Sequence, residues 1–92
     1  MRKPDEIQAE EQHFFHLVWY ERKLVMLQNI QEGIEALPDE DQMDRVTDAM
    51  RKVEAKYGND IGVKSDFEWG MINGKLSALR WVLGDEWDLL DT

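Results

Sequence analysis

Ninety-two residues make one domain at most, and 20 acidic against 11 basic side chains leave a formal charge of −9. That sign disfavours direct nucleic-acid binding and anionic membranes, both of which are held by Lys and Arg. The absence of cysteine excludes disulfides and thiolate metal sites and suits a reducing cytoplasm.

No apolar run approaches the ~20 residues that a membrane helix needs. The start, Met1-Arg2-Lys3-Pro4-Asp5-Glu6, has no apolar stretch behind its two bases, so no secretory signal is read there. Pro4 suits a first helical turn, and Asp5, Glu6, Glu10 and Glu11 crowd the positive end of a helix dipole. From there to Leu37 the only breaker is Gly33, and the residue before Pro38 avoids the α region. One long helix is therefore expected over about 5–36.

The second helix is expected over 39–57, after the turn Leu37-Pro38-Asp39-Glu40-Asp41. Met43, Val46, Met50, Val53 and Tyr57, spaced three and four apart, form a narrow apolar seam on it. Gly58-Asn59 ends it, and Ile61-Gly62-Val63 is a short apolar connector. Ser65-Asp66-Phe67-Glu68 is a capping box that opens a third helix over 66–83. Its seam is Trp69, Ile72, Leu76, Leu79 and Leu83, and Gly84 stops it. An acidic-aromatic tail, 85–92, follows. Trp87, Leu89 and Leu90 there read either as a docked final turn or as a recognition peptide for a partner.

The fold class is thus all-α: a three-helix antiparallel bundle with one long N-terminal helix. Dimerisation is expected to complete it. Phe14, Phe15, Leu17, Val18, Trp19 and Tyr20, then Leu24, Val25, Met26 and Leu27, point in every direction around the long helix. Two partners of about 18–20 residues span roughly 27–30 Å and leave part of a 45–50 Å helix bare. Phe14, Phe15, Val18, Trp19 and Met26 are accordingly the expected interface. Gly70 and Gly74 join them, because small residues repeated every four positions, with Ala78, allow close helix approach. The other reading of those glycines is that they make room for Trp81 or Trp19 within one chain.

Chemistry has little to stand on. Glu10, His13 and His16 share one helix at metal-ligand spacing, but the carboxylate–histidine sites of helical bundles need two such motifs and further inward carboxylates. Glu32-Gly33-Ile34-Glu35 matches half of a magnesium-holding pattern, and Asp41-Gln42-Met43-Asp44 is a poor second half. Ser65 is better used as a cap than as a nucleophile, and Gly70-Met71-Ile72-Asn73-Gly74-Lys75 has the wrong spacing for a phosphate loop. No cofactor is implied.

Residues 67–92, through their tryptophans, the Leu79-Arg80-Trp81-Val82-Leu83-Gly84 stretch and the Trp87-Asp88-Leu89-Leu90-Asp91-Thr92 ending, resemble the closing segment of short uncharacterised bacterial and phage proteins. The resemblance implies an accessory or host-interaction role and carries over no catalytic residue. The function expected is a homodimeric, non-enzymatic, cytoplasmic protein that binds another protein. Four tryptophans on an acidic surface are the residue type that makes binding hot spots. The alternatives are a nucleic-acid mimic or inhibitor that presents carboxylates in place of phosphates, and a metal-dependent enzyme using the first-helix histidines.

Overall fold

The computed structural model describes residues 1–87, and every regular element among them is a helix: α1 (Pro4–Gln31), α2 (Glu40–Tyr57) and α3 (Asp66–Val82). None of the three is long and apolar enough to cross a membrane. The expected helices are present, but α1 ends five residues before the expected position. Gly33 is the cause. It sits at φ +77°, the left-handed region that glycine enters without cost. Its N–H donates to the Ile30 carbonyl at 3.2 Å, and the Ile34 N–H donates to the Asn29 carbonyl at 2.8 Å. Those two bonds satisfy carbonyls that the last turn would otherwise leave open, and they turn the chain away before Pro38 can.

The other termini follow local chemistry. Asp39 caps α2 by accepting from the Gln42 N–H at 2.8 Å, and Ser65 caps α3 by accepting from the Glu68 N–H at 3.1 Å. The Glu68 carboxylate in turn accepts from the Lys64 N–H at 3.4 Å, one residue outside the usual box. Gly84, at φ +112°, closes α3 as Gly33 closes α1: its N–H donates to the Trp81 carbonyl and the Asp85 N–H to that of Arg80.

The sequence is read above as one domain over 1–92; the contacts group it into two compact units, Met1–Val18 with Val63 onward, and Trp19–Gly62. The first combines the early part of α1 with α3. Val18, Ile72 and Leu76 are buried together, and Phe14, Leu17, Val63 and Trp69 pack against them. The second combines the later part of α1 with α2. Tyr20, Met50 and Val53 are buried, ringed by Trp19, Leu24, Leu27, Val46, Tyr57 and Ile61. Seven of the ten apolar residues that encircle α1 are divided between two clusters, Phe14, Leu17 and Val18 in one and Trp19, Tyr20, Leu24 and Leu27 in the other, while Phe15 and Val25 stay exposed.

One polar contact ties each pair of segments. In the first unit the buried Glu11 carboxylate accepts from Arg80 Nε at 3.1 Å and from Gln12 Nε2 at 3.0 Å. In the second the buried Tyr20 hydroxyl donates to the Glu54 carboxylate. No buried side-chain nitrogen or oxygen among the described residues lacks a hydrogen-bond partner, as burial of polar groups requires.

Candidate functional site

The residues singled out in the sequence fall into distinct environments. On α1, Glu10 Oε2 lies 3.7 Å from His13 Nδ1, the ring of His13 stacks on Phe14 with centroids 5.1 Å apart, and His16 tilts against Phe15. Nowhere among the described residues do three or more His, Asp or Glu side chains converge as a metal site requires. The acidic pair Glu32 and Glu35 turns back onto its own helix end. Gln28 Nε2 donates to Glu32 at 3.3 Å, and Asn29 Nδ2 to Glu35 at 3.4 Å.

The expected interface residues of α1 are mostly occupied within the chain. Val18 is only 6% exposed, in the cluster with Ile72 and Leu76. Phe14 and Trp19 are half-buried against their respective clusters, and Met26 is half-buried too. Phe15 remains exposed, with the Arg80 guanidinium 5.6 Å from its ring centroid. Lys75 Nζ lies 5.5 Å from the Phe14 ring and Lys23 Nζ 5.8 Å from that of Trp19, both at cation–π range.

Gly70 and Gly74 are exposed on α3, and a Cβ added at either would meet no described atom within 4 Å. Neither makes room for a tryptophan of the same chain. Each costs its helix about 1 kcal/mol relative to alanine, and no contact among the described residues offsets it.

What the sequence reading missed lies beside them. Phe67 is 77% exposed, Met71 45%, Trp81 50% and Val82 55%. At 3.6 residues per turn, these four share with Gly70, Gly74 and Ala78 an arc of roughly 120°. That arc faces away from Ile72 and Leu76, the buried side of the same helix. The signal was present: counted from Phe67, positions 67, 70, 71, 74, 78, 81 and 82 repeat the three-and-four spacing in a second phase. It was obscured because the seam from Trp69 to Leu83 has the same spacing and larger residues. Trp87 extends the patch, its ring stacked on Trp81 at 5.1 Å and 11°. Leu89 and Leu90, the other tail candidates, lie outside the described residues.

One ionisable group is clearly perturbed. The Tyr20 hydroxyl is pushed up to about 12, first by its hydrogen bond to the Glu54 carboxylate, then by burial and by the negative charges of Glu54 and Glu21. From its buried position it holds α1 to α2. Two surface concavities are lined by described residues. One is bordered by Asp44, Arg45, Thr47, Asp48 and Arg51, another by Arg2, Glu6, Ile7, Ala9, Glu10 and Leu79. The feature with binding potential is the exposed apolar face of α3. Comparison with protein-family models, with curated proteins and with solved structures finds no match to this chain.

Proposed function

We propose that this chain is a non-enzymatic helical interaction protein that works as a homodimer and presents apolar anchors to a protein partner. The observation that carries the reading is the face of α3, where Phe67, Met71, Trp81 and Val82 stand exposed. Large apolar and aromatic side chains gathered on one face mark association surfaces, whereas scattered ones need no explanation. The shallow core supports the same reading. Among the described residues six hydrophobic ones are buried, and no large side chain is fully enclosed. A chain of this size commonly gains the missing burial from a partner.

The antiparallel arrangement expected from the sequence is supported within the unit that contains α3. Glu11 meets Arg80, Phe14 meets Lys75, and Val18 clusters with Ile72 and Leu76. Positions descend along α3 as they ascend along α1. The charge of −9 and the lack of cysteine fit a cytoplasmic protein whose partner is neither nucleic acid nor an anionic membrane.

Light scattering across a concentration series, from low micromolar to near-millimolar, tests the reading. A mass rising to twice that of the chain is expected. A folded sample that stays at one chain mass throughout refutes it.

A further inference from the structure

We propose that the occupant of the exposed α3 face is the same face of a second copy, packed antiparallel about a two-fold axis at Gly74. This rests on the self-association reading above and specifies the surface, the direction and the register.

The layout of the face is self-complementary. Phe67 and Trp81 each lie seven residues from Gly74, and Gly70 and Ala78 each lie four. An antiparallel pair centred on Gly74 therefore sets Phe67 of each copy against Trp81 of the other, and Gly70 against Ala78. Aromatic residues close the two ends, and the small residues between them let the backbones approach. The open space at Gly70 and Gly74, where no described atom lies within 4 Å of an added Cβ, is what such an approach needs.

Charge selects the same occupant. A chain of net charge −9 repels its own copies over most of its surface. The seven residues of the stripe carry no charge, and the neighbouring Lys75 ammonium is drawn aside over the Phe14 ring. Two such chains meet on uncharged residues along the stripe, with the carboxylates of Asp66 and Asp85 at its two ends, whereas a basic foreign partner would call for an acidic face.

Area is sufficient. At roughly 200 Å² for each large side chain, the exposures of Phe67, Met71, Trp81 and Val82 amount to about 450 Å² per copy. Fully covered, two faces with the exposed Trp87 rings beside them amount to on the order of 1,000 Å², about the size at which a contact becomes specific.

Cysteine cross-linking tests the pairing in a chain that has no cysteine of its own. The axis brings the two position-74 Cα atoms to the roughly 4.4–6.8 Å that a disulfide spans. Gly74→Cys should oxidise to a covalent dimer roughly ten-fold faster than the exposed control Asp48→Cys, because pairing raises the local thiol concentration. Gly70→Cys and Ala78→Cys should cross-link faster mixed than alone. Phe67→Ser should dissociate the dimer with its helix content intact, since that side chain is exposed in the single chain.

Equal self-cross-linking at 70, 74 and 78 means parallel helices and overturns the inference. A dimer by light scattering in which Gly74→Cys oxidises no faster than the control also overturns it, and leaves self-association standing through another face. One chain mass at every concentration removes both.

Discussion

Removing the Tyr20 hydroxyl probes how α1 is held to α2. Tyr20→Phe keeps the ring among Met50 and Val53 and deletes only the donor to the Glu54 carboxylate. A hydrogen bond to a charged group contributes about 1.5–3 kcal/mol, and the half-buried Glu54 can regain part of that from water, so a loss near 1.5 kcal/mol is expected. For a chain of this size that lowers the Tm by roughly 6–12 °C. Urea unfolding followed by circular dichroism at neutral pH should show a lower midpoint with an unchanged slope. The pH dependence adds a second check. The folded-state pKa is raised, so the contribution is complete below about pH 10, where an unfolded tyrosine ionises, and is lost as pH climbs through about 12. The gap between the two proteins should therefore narrow from about pH 10 to about pH 12. An unchanged midpoint at neutral pH, with an unchanged slope, would refute the assignment of this bond as a fastening between the helices.

Val18→Glu places a carboxylate in the cluster with Ile72 and Leu76. The cost of several kcal/mol should abolish helical circular dichroism rather than yield a folded monomer. Ser65→Ala removes the acceptor for the Glu68 N–H and should lower the unfolding free energy by about 1 kcal/mol in the same urea titration. Gly33→Ala meets no steric obstacle but must adopt φ +77°, so calorimetry should show a loss of about 1–2 kcal/mol. A gain would mean that α1 extends toward Leu37 in solution.

The sequence alone settles the helices and most of their ends, because those depend on neighbours a few residues apart. Pro4, Asp39, Ser65 and Gly84 act within one turn of themselves, and the seams Met43–Tyr57 and Trp69–Leu79 show by spacing which residues turn inward; Leu83, just past the end of α3, is exposed instead. Gly33 was equally visible. A left-handed glycine closes a helix as soon as it is reached, whatever stands five residues later, so it acts before Pro38. Only the tertiary structure decides how the apolar girdle of α1 is shared. Val18 and Tyr20 are two residues apart yet belong to different clusters. The contacts Glu11–Arg80 and Tyr20–Glu54 join residues 69 and 34 positions apart, which no local pattern announces. The exposed side of α3 belongs to the same class. Two apolar phases run along one helix, and which of them is buried is settled by where α1 lies, a property of the packed chain and not of the helix itself.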